Sequence, residues 1–392
     1  MYLLITESPA KAKKIQGFLS SDYKVSASCG HIRDLDKKSL SIDVDHNFKP
    51  LYKNLTDKRD IIKTLKSLSK GKQVILAADD DREGEAIAWH CAHVLGVKVG
   101  PKNRITSREI SKQAVTNALK QPRAINMCEV NAQQARRIID RLIGFKLSPC
   151  LWKHIQTQEK GLSAGRVQSA LLNLLDERDS MIQSYEPDIS IDIQATFTDL
   201  DQPCQFHFEN DYDIDDTFIH GLLTLFSRNR EFQVKNHTCS KEKSYPKKPF
   251  ITSTLQQSAQ NELGFSVALT TDISQKLYEQ GHITYIRTDS TFISEEFQTQ
   301  LQRKVQMDYG DGYYQKSKEK KVKGAQEAHE AIRPTNLFQY PSLDGPHKKL
   351  YDFILKRTIT SHMKPALYDV YMINLQNDLT SEYCSFITKY RQ

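Results

Sequence analysis

An apolar run, Gln73–Ala78, ends in Asp79-Asp80-Asp81-Arg82-Glu83-Gly84-Glu85, and a helix-like segment follows without a break. A short apolar run bounded in this way reads as a buried strand, with Glu85–Leu95 as the helix after it. In open α/β sheets, ligands gather outside the carboxyl ends of the strands, so acids there face a site rather than the core. If the segment stays extended, Asp79, Asp81 and Glu83 alternate onto one side as three oxygen ligands. A hard divalent cation such as Mg²⁺ takes one or two carboxylates and completes its shell with water or phosphate. A solvated acidic turn is the plainer reading of the same residues.

The surrounding pattern extends this strand into a sheet. Met1–Thr6 is a first strand closed by Glu7, and Ser8-Pro9 read as the N-cap and first position of a helix over Ala10–Leu19. Tyr23–Ser28 and Arg104–Ser107 read as further strands. Such alternation favours a mostly parallel sheet covered by helices. From about 125 to 183 the pattern is helical, with Ser163 placed to cap a second helix whose apolar stripe is Val167, Ala170, Leu171, Leu174 and Leu175. Alternation in Ile189–Phe197 and Cys204–Phe208 marks a β region. Helices return from Thr252 to about Met363, and Tyr368–Leu375 is strand-like. The basic run Lys316–Lys323 reads as a solvated loop, or as a loop contacting DNA.

With 392 residues the chain has room for two to four domains. No apolar run reaches the roughly 20 residues of a membrane span, and the first residues lack the form of a signal peptide. The expected location is the interior of a cell. Cys29, Cys91, Cys128, Cys150, Cys204, Cys239 and Cys384 are scattered, with no Cys-x-x-Cys pair, so no zinc site or disulfide framework is expected. A net charge of +7 hints at a polyanionic partner only weakly.

Three clusters carry chemistry. If the strands ending at Glu7 and at Asp79 share a sheet, their carboxylates share one rim, and like charges push one of them towards its protonated form. Such a group can serve as a general acid while its neighbours hold a metal. Lys11, one helical turn on, offers a cation to a phosphate; a simple capped helix explains the same residues. In Gly281-His282-Ile283-Thr284-Tyr285-Ile286-Arg287-Thr288-Asp289-Ser290-Thr291, Gly281 ends a helix, and an extended piece puts Tyr285 and Arg287 on one side. A phenol beside a guanidinium and near a metal can attack phosphorus, although a tyrosine in an apolar strand also serves simply as packing. His329 and Arg333, four residues apart on a polar face, can reach one phosphate or act in capping.

Taken in order, these segments closely resemble type IA DNA topoisomerases. Glu7-Ser8-Pro9-Ala10-Lys11-Ala12-Lys13 and Asp79-x-Asp81-x-Glu83-Gly84-Glu85-Ala86-Ile87-Ala88-Trp89-His90 are similar to that family's Toprim domain. Ile283-Thr284-Tyr285-Ile286-Arg287-Thr288-Asp289-Ser290-Thr291 is similar to its nucleophilic tyrosine motif, in the form of the bacterial topoisomerase I branch. Gly30-His31-Ile32-Arg33-Asp34-Leu35, Asn131-Ala132-Gln133-Gln134-Ala135-Arg136-Arg137, Ser163-Ala164-Gly165-Arg166-Val167-Gln168-Ser169 and Ala328-His329-Glu330-Ala331-Ile332-Arg333-Pro334 match further motifs in the expected order.

The resemblance implies a multidomain chain of mixed α/β, α and β parts that builds a toroid. Its expected divisions are a Rossmann-like Toprim domain over 1–124, a helical domain over 125–184, a strand-rich arch over 185–249, a tyrosine-bearing helical domain over 250–365 and an arch return strand over 366–392. It implies ATP-independent cleavage and resealing of one DNA strand through a 5′-phosphotyrosine, relaxing negatively supercoiled DNA. Tyr285 would be the nucleophile, Glu7 the proton donor to the leaving oxygen, and Lys11 and Arg287 the groups that steady the phosphate. Asp79, Asp81 and Glu83 would hold Mg²⁺, while His31, Arg136, Arg137, Asp140, Arg166, Gln168, His329 and Arg333 would contact single-stranded or underwound DNA. No Gly-x-x-x-x-Gly-Lys loop is present, in keeping with chemistry that needs no nucleotide.

Complete family members continue into a Gly-Ile-Gly-Arg-Pro-Ser-type motif that does not occur here. The expectation is an open ring: a truncated piece, one part of a split gene, or a reduced descendant. The corresponding alternative function is a single-strand-binding fragment that needs a complementary C-terminal segment or partner chain. A Toprim-type primase or nuclease shares the acids but has no use for the tyrosine–arginine pair.

Overall fold

The computed structural model describes residues 1–100, 102–155, 161–187, 192–198, 204–209, 216–316, 329–378 and 385–392. The chain forms two compact units, one from residues 1–177 and 247–363 and the other from 178–246 and 364–392.

In the first unit a parallel sheet runs in the order Tyr23–Ala27, Tyr2–Thr6, Gln73–Leu76, with Leu4 paired to Val25 on one side and Ile75 on the other. Side chains alternate across a strand, so the apolar run at the N-terminus feeds two cores. Leu3 and Ile5 pack with Leu65, Ile87, Ala88 and Cys91. Leu4, on the opposite face, packs with Ile15, Val25 and Ile75 and also with Phe250, Ile273, Leu277 and Tyr285 from the later helical region. Burying each such side chain contributes roughly 1.5–3 kcal/mol. This shared core brings the segment that carries Tyr285 against the sheet.

Helix boundaries follow local chemistry. Ser8 caps Pro9–Gln16, its Oγ accepting from the Lys11 N–H, with Pro9 at the first turn. The helix after the acidic run starts at Arg82, three residues earlier than the apolar pattern suggests, because Asp81 is its N-cap. The acids are therefore not one extended ladder: Asp79 lies before the cap and Glu83 inside the first helical turn. Val267–Glu279 is helical, and Gly281 follows at φ +75°. A Cβ there would also lie 2.5 Å from the Ile110 carbonyl oxygen, so the position requires glycine.

Three other expectations change. Arg104–Ser107 is not a strand; Arg104 alone bridges Leu76 and Arg123, since its side chain takes over the bonding of the neighbouring carbonyls. The helix expected to be capped by Ser163 begins at Arg166, and the Ser163 Oγ and carbonyl instead accept from Gln168 Nε2. His329 and Arg333 do not share a helix face. Their segment is extended, with bridges Phe250–Ile332 and Ile283–Pro334.

The second unit is a five-stranded antiparallel sheet in the order Gln233–Ser244, Ala366–Gln376, Ser385–Arg391, Cys204–Glu209, Gln194–Phe197. Phe206, Leu375 and Phe386 form its core, with Phe197, Phe226 and Phe232 packed around them. Residues 189–191 of the first expected strand and 317–323 of the basic run lie outside the described residues. No helix among the described residues is long and apolar enough to cross a membrane.

Candidate active site

Glu7 follows the central strand directly, and Asp79 follows its neighbour after Ala77-Ala78, so parallel pairing sets the two acids on one rim. The Asp79 N–H donates to Glu7 Oε1 at 2.6 Å. Burial first, then the charge of Asp79, raise the Glu7 carboxyl from 4.5 to about 7 against the opposing pull of Lys11. Lys11 is buried, and its Nζ donates to both Asp79 oxygens at 2.6 and 2.7 Å. The Tyr278 hydroxyl donates to Asp79 Oδ1 at 2.8 Å, and Lys11 Nζ lies 4.8 Å from the Tyr278 ring centre.

Asp81 Oδ1 caps its helix by accepting from the Gly84 N–H at 2.7 Å. Its Oδ2 accepts from the Tyr285 hydroxyl and lies 3.6 Å from the Arg287 guanidinium. The Tyr285 ring meets Tyr278 and His329 edge-on, each at 5.2 Å between ring centres. His329 Nε2 donates to the Asp80 carbonyl at 2.7 Å. Burial, and then the charges of Asp81 and Asp79, push the Tyr285 phenol far above its ordinary value. The resting tyrosine is thus neutral, with a carboxylate holding its proton.

Arg104 fixes the turn that carries these acids. It is fully buried and donates to the carbonyls of Ala78, Ile105 and Asp79 at 2.6, 2.6 and 2.5 Å, and to Glu85 at 2.5 Å. Arg123 and the Asn126 N–H complete the bonding of Glu85. Carbonyls leaving a strand end need such donors when buried. Gly84 permits the tight fold-back: a Cβ there would lie 2.2 Å from the Asp79 carbonyl oxygen.

The remaining expected residues lie elsewhere. His31, Glu83, Arg136, Arg137 and Asp140 line a separate polar cavity of about 310 Å³. Arg137 makes a two-pronged pair with Asp34 at 2.9 and 2.6 Å, and Arg166 reaches Asp140 at 3.1 Å. Gln168 turns back on Ser163. Arg333 is buried, paired with Glu330 at 2.6 Å and Glu109 at 3.1 Å, and stacked 3.8 Å from the Phe297 ring centre. It is not on the acidic rim. Residue-by-residue reading passes over Tyr278, Arg104 and Glu85. Tyr278 blends into an apolar helix stripe, Glu85 closes an acidic run with nothing to set it apart from its neighbours, and Arg104 is one of several polar residues between Lys102 and Arg108.

Residues 2–112 match the Toprim domain family and residues 124–392 match the DNA topoisomerase family. The chain is 43% identical to DNA topoisomerase 1 of Campylobacter jejuni over 399 residues, a match covering 96% of this chain and 56% of that protein. Full-length topoisomerase I from Thermotoga maritima superposes with a TM-score of 0.85 at 37% identity, covering all of this chain and 65% of the other. The chain thus spans little more than half the length of the first relative and under two thirds of the second. By these matches, and with a Toprim-type acidic rim facing a tyrosine, the chain belongs to the DNA topoisomerase family.

Proposed function

We propose that the chain cleaves and reseals one strand of DNA through a covalent bond between Tyr285 and a 5′-phosphate, relaxing underwound DNA without a nucleotide cofactor. The observation that carries this reading is the hydrogen bond from the Tyr285 hydroxyl to Asp81 on the Toprim rim. Tyr285 Oη attacks phosphorus, the bond from phosphorus to the 3′ oxygen breaks, and the phenolic proton passes to Asp81. Glu7 supplies the proton to the departing 3′ oxygen; its raised affinity for a proton suits a general acid near neutrality. Arg287, and Lys11 once released from Asp79, neutralise the non-bridging oxygens.

Toprim domains typically bind Mg²⁺, and the donor chemistry here fits that ion in one respect. Glu7, Asp79 and Asp81 are hard oxygen donors close enough for their charges to act on one another. Among the described residues, no three acidic, histidine or cysteine side chains are grouped so that they could hold a metal ion together; Mg²⁺ commonly takes only one or two carboxylates. Asp79 and Asp81 are the residues that would hold it. Bound there, Mg²⁺ would supply positive charge beside the phosphate.

A second reading, a single-strand-binding piece that acts only with a further segment, draws on the Arg166–Gln183 helix. Its Val167, Leu171, Leu174 and Leu175 are exposed although they form one apolar stripe. End-labelled single-stranded oligonucleotides separate the readings. The first predicts a protein-linked fragment joined through its 5′ end, absent in Tyr285→Phe. Binding without any adduct favours the second, and an adduct that survives Tyr285→Phe overturns the choice of nucleophile.

A further inference from the structure

The spacing Asp79-x-Asp81-x-Glu83 invites a three-carboxylate metal site, but Glu83 is turned to different partners. Because Asp81 caps the helix that starts at Arg82, Glu83 rides on the first helical turn. Its Oε2 meets His31 Nε2 at 2.9 Å and accepts from Gln133 Nε2 at 3.2 Å. Asp79 bonds to Lys11 and Tyr278, and Asp81 to Gly84 and Tyr285. The two sets of partners do not overlap.

The cavity beside Glu83 has the marks of a binding site. Arg33, Tyr52, His90 and Gln133 all line it, and each carries a buried nitrogen or oxygen with no hydrogen-bond partner. A buried polar atom left unbonded costs about 1–3 kcal/mol, so four beside one cavity suit a polar ligand with both donors and acceptors. Arg136 adds positive charge to the same wall. His31 comes from the turn at Cys29-Gly30, where both residues have positive φ. Gln133 comes from the Met127–Lys146 helix. Glu83 ties these two separate elements together.

We propose that Glu83 is a positioning residue of this cavity rather than a metal ligand, holding the His31 ring and the Gln133 amide for a segment of single-stranded DNA. This rests on the topoisomerase reading for the identity of the ligand. Glu83 engages His31 through Nε2, which leaves Nδ1 as the edge free to meet DNA. Since Glu83 acts partly through His31, replacing Glu83 should cost less in a chain that already lacks His31 than in the parent.

The test measures binding of a fluorescent single-stranded oligonucleotide in EDTA, with no divalent ion present. Glu83→Gln should weaken binding about fivefold to tenfold, although removing a negative charge would by simple electrostatics strengthen it. The double variant Glu83→Gln with His31→Ala should lose less binding than the two single losses added together. The Mg²⁺ concentration giving half-maximal resealing should be the same in Glu83→Gln as in the parent. Unchanged or tighter binding by Glu83→Gln, additive losses in the double variant, or a shifted Mg²⁺ midpoint each overturn the assignment. A parent chain that fails to bind the oligonucleotide overturns the topoisomerase reading itself; a binding parent with an unaffected Glu83→Gln overturns only the role of Glu83.

Discussion

The Tyr285 hydroxyl donates a hydrogen bond to the Asp81 carboxylate across 204 positions of sequence. Two ordinary features bring them together. A strand-to-helix turn places Asp81 at a helix N-cap, and a shared apolar core presses Ile273, Leu277 and Tyr285 against the sheet face that carries Leu4. The contact also holds the phenol in its neutral, protonated form, so the resting arrangement is poised but not yet nucleophilic.

Gly84 should be indispensable to the acidic turn. A methyl group would overlap the Asp79 backbone, which cannot swing aside as a side chain can. Gly84→Ala is expected to slow oligonucleotide cleavage by about tenfold or more, equivalent to about 1.4 kcal/mol of barrier. Single-turnover cleavage at saturating oligonucleotide measures this, and an unchanged rate would show that the turn tolerates displacement.

Removing Arg104 strands a buried carboxylate and three carbonyls together. Breaking a buried ion pair from one side typically costs about 3–5 kcal/mol, and Arg104→Ala should lose that much. Urea unfolding followed by tryptophan fluorescence reads the relevant part of the chain, because Trp89 and Trp152 both belong to the first compact unit. A loss below about 1 kcal/mol would mean that water or Arg123 takes over the bonding.

His90 sets an acid limit on stability. Burial, reinforced by the nearby charge of His31, lowers its folded-state value from 6.5 to about 3. Below about 6.5 the unfolded chain gains a proton that the folded protein refuses, so stability falls as pH drops from there towards 3. At pH 5 this one group should cost on the order of 2 kcal/mol. Urea midpoints at pH 7 and 5 measure the loss, and His90→Gln should make it smaller by about that amount.

Much of the rim is legible in local sequence because its causes are local. Ser8-Pro9 signal a helix start, the apolar run into Asp79 signals a strand end, and Gly281 signals a helix end. The Asp81 cap is equally local, yet alternation with Asp79 and Glu83 points instead to an extended ladder. The pattern alone does not say which of the two physical roles wins. Tyr278 on Asp79 and Arg104 on the strand-end carbonyls join positions far apart in the chain, and long-range pairing leaves no local periodicity. Arg333 shows the reverse case. Its motif suggests a phosphate contact, whereas packing buries it among Glu330, Glu109 and Phe297.

The central claim is that the Tyr285 oxygen is the atom that bonds to DNA. Trapping the complex with a single-stranded oligonucleotide, digesting both components and sequencing the nucleotide-bearing peptide by mass spectrometry tests it most directly. The account predicts a phosphate on Tyr285 joined to the 5′ end of the cleaved strand. A phosphate on any other side chain, or bound oligonucleotide with no covalent product at all, would contradict it.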